Sequence, residues 1–218
     1  MARRIDNDIK QYYSDRAYEY DITYLRPERQ KDIKELHRLL KTLFKDQNVL
    51  EVACGTGYWT NTIASVSKFI TAVDINDEVL QTAKSRGIPS NKVNFVQDDV
   101  YLLNKIQDDF SAGFAGFWWS HILKPKLKPF IALFHSKLQL NALVVFIDNR
   151  RIKKSSTSIS RMDIHGNTFQ IRKLEDGREY EILKNFPTKK EIRDTLGKKV
   201  KNLKIQFLKY FWIVSYNI

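Results

Sequence analysis

The chain has 218 residues, of which 43% are hydrophobic, a share typical of a globular protein rather than a disordered one. No apolar run approaches the roughly 18 residues that span a membrane, and the first residues lack the apolar stretch of a secretory signal peptide. Cys54 is the single cysteine, so no disulfide can form within the chain. These features predict a cytoplasmic protein, and the net charge of +12 leaves a nucleic-acid partner open.

Hydrophobic periodicity predicts two helices, over residues 5–20 and 27–44, in a helical cap that spans residues 1–46. Residues 47–150 then alternate strands with helices, the pattern of a parallel sheet covered by helices on both faces. The predicted strands cover residues 48–52, 69–73, 93–97, 112–118 and 143–147. The predicted helices cover residues 58–66, 77–85 (with Asn76 as its N-cap), 100–106 and 128–138.

Residues 151–218 follow a different pattern. Asp176 and Gly177 stand between two alternating runs, which predicts an inserted β-hairpin that acts as a substrate-side lid or as a dimer contact. The runs cover residues 168–174 and 179–186, followed by a helix that Thr188 caps and by closing antiparallel strands over 203–208 and 210–216. The whole chain is interpreted as one domain that could form a homodimer.

A strand, a glycine turn and a helix form the most informative segment of the chain. An apolar run over residues 48–52 leads into Gly55 and Gly57, and a helix is predicted to begin directly afterwards. Glycines here allow the backbone to bend sharply and to approach a ligand closely. Asp74 ends the next strand, about 20 residues after the turn, where a carboxylate can accept hydrogen bonds from a ribose. The pattern predicts a nucleotide-binding edge; the alternative is a turn that only closes the strand–helix unit.

The segment from Glu51 to Gly57, Glu-Val-Ala-Cys-Gly-Thr-Gly, resembles motif I of the class I S-adenosylmethionine-dependent methyltransferases. A dinucleotide dehydrogenase would place a third glycine near Thr60, and a P-loop would carry Lys-Ser or Lys-Thr after the glycines. Asp74 resembles the acid of motif II, and residues 95–100 and 110–120 resemble motifs III and IV. The resemblance implies an α/β, Rossmann-like sheet of seven strands, mostly parallel with an antiparallel C-terminal strand.

Three further segments narrow the resemblance: Tyr12 to Asp21, Gly57 to Thr60, and Arg172 to Arg178. They are similar to a subgroup of small bacterial methyltransferases that includes the phosphonate O-methyltransferase of dehydrophos biosynthesis. The similarity implies that S-adenosylmethionine is the cofactor and S-adenosylhomocysteine its product. The implied acceptor is a small molecule that is methylated at oxygen, on a hydroxyl, a carboxylate or a phosphonate.

The resemblance also implies which residues hold the cofactor. Glu51 orders the loop and the amino acid end of the cofactor, Asp74 accepts from the ribose hydroxyls, and Ile75 packs on the adenine. Asp99 and the amide of Val100 read the adenine edge. The full implied set is Tyr13, Arg16, Tyr20, Glu51, Ala53, Cys54, Gly55, Gly57, Trp59, Asp74, Ile75, Asp98, Asp99, Val100 and Phe117. The three members from the N-terminal cap could instead pack in the core or face solvent.

The segment from Phe117 to His121 follows the fourth predicted strand, where acceptor chemistry is expected. It contains no Asn-Pro-Pro-Tyr for amino-group methylation, and Cys54 lies in the cofactor turn, where it is interpreted as a small packing residue. His121 is a candidate general base for a hydroxyl acceptor, or a residue that only lines the pocket. An anionic acceptor needs cations instead of a base. The candidates for substrate contact are Trp118, Arg150, Arg172 and Arg178.

Two alternatives to a small-molecule enzyme remain at this level. The positive charge favours an RNA-modifying methyltransferase, although no dedicated RNA-binding pattern is present. A fold that binds S-adenosylmethionine without catalysing transfer is the second alternative. The four histidines are dispersed without ligand spacing, so no metal site is predicted.

Overall fold

The computed structural model describes residues 2–16, 20–107, 109–153 and 155–218, without the side chains of residues 2–7 and 20. Its helices are α1 (Ala2–Asp15), α2 (Gln30–Leu43), α3 (Tyr58–Ala64), α4 (Asp77–Lys84), α5 (Lys124–Ser136) and α6 (Lys189–Leu196). Its strands are β1 (Asn48–Val52), β2 (Phe69–Asp74), β3 (Val93–Gln97), β4 (Phe110–Gly116), β5 (Leu138–Asn149), β6 (Arg161–Met162), β7 (Thr168–Lys173), β8 (Glu179–Leu183), β9 (Lys201–Phe207) and β10 (Phe211–Asn217). Short 3-10 turns occupy Tyr20–Tyr24, Pro27–Arg29 and Trp119–His121.

Seven strands form one sheet in the order β3-β2-β1-β4-β5-β10-β9. The first five strands pair in parallel, while β10 runs antiparallel to both β5 and β9. This confirms the predicted seven-stranded, mostly parallel sheet with an antiparallel C-terminal strand. The strand order reverses between β1 and β4, and in such sheets a ligand binds beyond the carboxyl ends of the strands at this point.

Helices cover both faces of the large sheet. On one face, α2 buries Ile33, Leu36 and Leu40 in a cluster with residues of β1 and β2. On the other face, Phe130 of α5 and Ile192 of α6 belong to a second apolar cluster with residues of β5 and β10. Burial of each such side chain contributes about 1.5–3 kcal/mol, so the two layers hold the strand ends in fixed register.

The predicted helix over residues 100–106 is wrong. The amides of Leu102 and Leu103 both donate to the carbonyl of Asp99, which starts a turn. Leu103 then has a φ of 48°, a left-handed conformation that a helix cannot continue through. The carboxylate of Asp98 accepts from the amide of Lys105 at 2.8 Å. The segment is therefore a hydrogen-bonded loop.

Asn76 stands at the N-cap position of α4 but does not cap it with its side chain. The side-chain Nδ2 donates instead to the carbonyl of Lys10 in α1, 3.2 Å away. The amide of Asn76 donates to Oδ1 of Asp74 at 3.0 Å. The predicted N-cap position is confirmed, but the side chain links α4 to the N-terminal helix instead of capping α4.

The segment between β5 and α6 forms a three-stranded antiparallel sheet in the order β6-β7-β8. Strands β7 and β8 form the predicted hairpin, and the two residues of β6 add a strand that the sequence did not predict. Helix α1 packs on this small sheet through Ile9 and Tyr12, which share an apolar cluster with Phe169 and Ile182. The small sheet therefore supports α1.

A substitution at Gly57 tests whether the turn between β1 and α3 needs a glycine. This residue has a φ of 74°, and a Cβ atom added to it would lie 2.9 Å from Cβ of Ala83 in α4. We expect Gly57→Ala to lower the free energy of unfolding by about 3 kcal/mol, from backbone strain and overpacking together. Gly87 has a φ of 69° with nothing within 4 Å of an added Cβ, so Gly87→Ala should cost only about 1 kcal/mol. Urea unfolding of both variants measures the difference, and equal losses would contradict the overpacking.

Candidate active site

The principal pocket opens at the carboxyl ends of the parallel strands, and we call it the strand-end pocket. Glu51 lies in β1, Asp74 ends β2, and Asp99 and Phe117 follow β3 and β4. Helix α1 contributes Tyr13 to the opposite wall. The predicted cofactor residues that line this pocket are Tyr13, Glu51, Ala53, Cys54, Gly55, Trp59, Asp74, Ile75, Asp99, Val100 and Phe117.

Asp74 is held in place by the backbone on both sides of it. Its Oδ2 accepts from the amide of Gly55 at 2.9 Å, and its Oδ1 accepts from the amide of Asn76 at 3.0 Å. Burial raises the pKa of Asp74, and these backbone amides oppose that effect. Each carboxylate oxygen has two acceptor sites, so the side chain keeps capacity for further donors such as hydroxyl groups.

Glu51 is a buried acid, with 2% of its surface exposed. Its Oε2 has no hydrogen-bond partner among the described residues. Burial, with a smaller contribution from the charge of Asp74, raises the pKa of Glu51 to about 8. A positively charged donor in the pocket would lower this pKa again, because an opposite charge favours the ionised carboxylate.

Two non-glycine residues of the pocket have left-handed backbones. Ala53 has a φ of 54°, and Phe117 has a φ of 61°. Such conformations cost free energy in residues that have a Cβ atom, and they are concentrated at functional sites. At Phe117 this conformation ends β4 and directs the chain into the turn that carries Trp118 and His121.

Cys54 lies in the same turn and is buried. Burial raises the pKa of its thiol well above the ordinary value. A neutral thiol is a poor nucleophile, so the structure agrees with a packing role for this residue.

A second pocket adjoins the first and is strongly basic; we call it the cationic pocket. The two share Tyr13, Tyr24, Phe117 and His121 as lining residues. The basic residues that line the second pocket are Arg16, Arg26, Arg29, Arg150, Arg172 and Lys184. No Asp or Glu is among the described residues that line it. Such a lining suits an anion, because guanidinium groups bind carboxylate or phosphoryl oxygens two at a time.

Lys184 is the buried cation of this pocket and was not predicted from the sequence. Its Nζ donates to Oγ of Ser120 at 2.6 Å and lies 3.3 Å from Oδ1 of Asp148. Asp148 is fully buried and also accepts from the amides of Ser120 and Asn149. Burial lowers the pKa of Lys184, and the charge of Asp148 opposes that effect.

His121 lies between the two pockets. The hydroxyl of Tyr13 is 2.8 Å from its Nε2, and Nζ of Lys184 is 3.3 Å from the same atom. An ammonium can only donate, so Nε2 accepts from Lys184, while Nδ1 is buried with no hydrogen-bond partner among the described residues. Burial, followed by the charge of Lys184, lowers the pKa of His121 well below its ordinary value. The imidazole is therefore neutral at physiological pH.

Several predicted residues lie outside the strand-end pocket. Arg16 lines the cationic pocket, and the turn at Gly57 packs against α4. Asp98 uses its carboxylate to hold the amides of Asp99 and Lys105. The side chain of Tyr20 lies outside the described residues.

The four predicted substrate residues separate into three locations. Trp118 lines the strand-end pocket, and Arg150 and Arg172 line the cationic pocket. Arg178 lines neither pocket. It pairs with Asp15 at the end of α1 and with Asp176 in its own turn. Arg178 thus fastens α1 to the small sheet.

Within the described residues, no three His, Cys, Asp or Glu side chains are grouped as ligands for a metal ion. Nor does any described helix have the length and apolar composition that crossing a membrane requires.

The chain is similar in sequence and fold to known methyltransferases. A family model described as a methyltransferase domain matches residues 49–140. The solved complex of DhpI with S-adenosylhomocysteine (SAH) shares 25% sequence identity and a TM-score of 0.78, over 97% of this chain and 96% of that chain. A DhpI complex with S-adenosylmethionine (SAM) and HEP matches at 24% identity and a TM-score of 0.79, over 97% of both chains. A Pyrococcus horikoshii protein matches at 18% identity and a TM-score of 0.71, over 95% of this chain and 98% of that chain. No curated protein has a significant sequence match.

The seven-stranded sheet, the glycine turn and the acids at the strand ends define a class I SAM-dependent methyltransferase, in agreement with the matched methyltransferase domain. Along nearly its whole length the chain resembles DhpI. Its cofactor is SAM, and it is an enzyme that transfers the methyl group of that cofactor.

The residues of the strand-end pocket fit this cofactor. Glu51 offers an unpartnered carboxylate oxygen for an ammonium group, and Asp74 has acceptor capacity for ribose hydroxyls. Ile75 and Val100 supply apolar surface for an adenine ring. We infer from this fit that these four residues hold the amino acid end, the ribose and the base.

The raised pKa of Glu51 predicts a proton release on binding. The amino acid end of SAH carries an ammonium group, which would favour the ionised form of Glu51. We expect up to one proton to leave the protein when SAH binds near pH 7. Calorimetric titrations in buffers with different ionisation enthalpies measure this release, and Glu51→Gln should abolish it. Equal proton release in the wild type and the variant would contradict the assignment.

The raised pKa of Glu51 also affects the stability of the protein when SAH is not bound. Between about 4.5, the ordinary pKa of a glutamate, and about 8, the folded carboxyl of Glu51 keeps a proton that the unfolded chain has lost. The free energy of unfolding should therefore fall as the pH rises through this range. Glu51→Gln should show a smaller fall in urea unfolding over the same range.

Proposed function

We propose that the protein methylates an oxygen of a small anionic molecule, such as a phosphonate, a phosphate or a carboxylate. The observation that carries this proposal is the cationic pocket, which adjoins the cofactor pocket and shares Tyr13 and His121 with it. The cofactor needs a nucleophile beside its reactive end, and the adjoining pocket is lined for anions. The resemblance to a subgroup with a phosphonate O-methyltransferase supports the same acceptor.

The chemistry asked of the protein is mainly positioning. Bound SAM supplies a methyl group that is already activated on a sulfonium. Arg172 and Lys184 bind and orient the acceptor anion, and Arg172 can engage two of its oxygens at once. Holding two reactants in line removes much of the entropic barrier of a bimolecular reaction.

An anionic acceptor changes the role of His121. An ionised oxygen is a nucleophile without a general base, so His121 serves to hold the hydroxyl of Tyr13 between the pockets. A hydroxyl acceptor would need a general base, and His121 could act as one only if Lys184 released its Nε2. The acceptor therefore decides whether His121 acts as a base.

The test uses methyl-labelled SAM, the purified protein, and separate acceptors: methylphosphonate, acetate, ethanol and an RNA pool. Label transferred to methylphosphonate or acetate, but not to ethanol, supports the proposal. Transfer only to ethanol would assign a hydroxyl acceptor and a base role for His121. Transfer only to RNA would mean that the net charge of +12 serves nucleic-acid binding.

A further inference from the structure

The basic residues of the cationic pocket form two groups. The inner group is Lys184 and Arg172, whose charges lower the pKa of His121 at the junction of the pockets. Lys184 also contacts Nε2 of that histidine directly, at 3.3 Å. The inner group therefore lies beside the place where the cofactor and the acceptor meet.

The outer group is Arg26, Arg29 and Arg150, of which Arg29 and Arg150 contact Tyr210. The sixth basic residue, Arg16, donates to the hydroxyl of Tyr12 at 2.8 Å. The guanidinium of Arg29 lies 5.8 Å from the centroid of the Tyr210 ring. The amide of Arg150 donates to the carbonyl of Tyr210 at 2.8 Å, and its Nη1 donates to the carbonyl of Leu208. None of the three arginines lines the strand-end pocket.

Arg29 has the features of a cation that awaits an anion. Its Nε is buried and has no hydrogen-bond partner among the described residues. Burial lowers the pKa of Arg29, the neighbouring charge of Arg26 adds to this effect, and the charge of Glu28 opposes it. A half-buried guanidinium beside another arginine is unfavourable without a nearby negative charge.

Neutral hydroxyl side chains line the cationic pocket beside the outer group. Ser155, Ser156 and Thr157 line the cationic pocket in the loop that follows β5. The loop is fastened, because the amide of Ile152 donates to Oγ of Ser156 at 2.9 Å and Gln170 donates to the carbonyl of Thr157 at 2.6 Å. The pocket thus continues as a formed polar surface beyond the inner group.

Asp148 offsets the charge of Lys184 in the inner group. The outer group adds three more cations, and a single phosphonate or carboxylate, with at most two negative charges, does not neutralise them all. We propose that the acceptor is a small molecule with two separate anionic groups: one that is methylated beside Lys184 and Arg172, and a second that Arg29 and Arg150 bind. This inference rests on the proposed function and adds the second anionic group to it.

The test compares two ligands that differ only in the second group, 3-phosphonopropionate and propylphosphonate. Their affinities are measured by calorimetry with SAH present, at a pH where both are fully ionised. The wild type should bind 3-phosphonopropionate at least about 10-fold more tightly, since the added carboxylate gains a charge-assisted contact. Arg29→Gln and Arg150→Gln should each bring the ratio close to one while affinity for propylphosphonate is retained.

Arg38→Gln is the matched control, because Arg38 pairs with Glu35 on the surface of α2 and its loss changes the net charge equally. The control should keep the wild-type ratio. Unchanged SAH affinity shows that a variant is folded. If Arg29→Gln does not fold, Arg150→Gln alone decides the test. Equal affinities for the two ligands in the wild type, or a ratio that survives in the folded outer-group variants, would overturn the second anionic site and leave the proposed function standing. Binding of neither ligand would overturn both.

Discussion

Asp74→Ala is expected to weaken SAH binding by at least about 100-fold, because it removes charge-assisted hydrogen bonds to the ribose hydroxyls. Turnover at a fixed SAM concentration below saturation should fall in proportion. The variant also loses the acceptor for the amides of Gly55 and Asn76. We therefore expect the free energy of unfolding to fall by about 2 kcal/mol as well. Calorimetry and urea unfolding measure the two effects separately.

Asp77→Ala is the control for this variant. Asp77 is an exposed acid in the first turn of α4, three residues from Asp74, and it does not line the strand-end pocket. Its removal should leave SAH affinity within about twofold of the wild type, since an exposed charge contributes little. Unchanged affinity in Asp74→Ala would show that Asp74 holds the loop but does not bind the ribose.

Lys184→Met is expected to lower kcat/KM for an anionic acceptor by at least about 100-fold, because it removes the buried cation beside the junction of the pockets. It should also cost about 3 kcal/mol of stability, since Asp148 would remain as a buried charge without its ion-pair partner. SAH affinity should not change, because Lys184 does not line the strand-end pocket.

A double variant separates activity from stability in this case. Adding Asp148→Asn to Lys184→Met neutralises the unpaired charge, and an amide oxygen can still accept from the amide of Ser120. We expect part of the lost stability to return while methyl transfer stays low. Recovery of full activity in the double variant would show that Lys184 acts only through the fold.

Much of the large sheet could be predicted, because its strands are buried on both faces and appear as continuous apolar runs. The predicted bounds of β1 and β3 match the structure, 48–52 and 93–97. The strand β5 begins five residues earlier than predicted, and Asn141 within it has a φ of 65°. The segment Gln139-Leu140-Asn141 gave no sign of that extension, in which Leu138 pairs with Phe110 of β4 and the amide of Asn141 donates to the carbonyl of Ile218.

The residues of the cationic pocket were much harder to predict from the sequence. Alternation places Lys184 on the same strand face as Ile182, but nothing in the sequence indicates which group would pair with its charge. In the structure Ile182, Leu183, Lys184 and Asn185 are all buried, because α1 and the turn after β4 cover the small sheet. Arg29 gave no signal either, since it lies in a 3-10 turn whose position against Tyr210 is a long-range contact.

By itself the sequence determined the class of sheet, the glycine turn and the acids at the ends of β1 and β2, because these depend on local periodicity and on spacing along the chain. The tertiary structure alone decided that Arg178 fastens α1, that Lys184 is buried against Asp148, and that cations from five separate segments face one pocket. Those contacts join residues far apart in the chain. The number of residues between two positions does not indicate how close together the fold brings them.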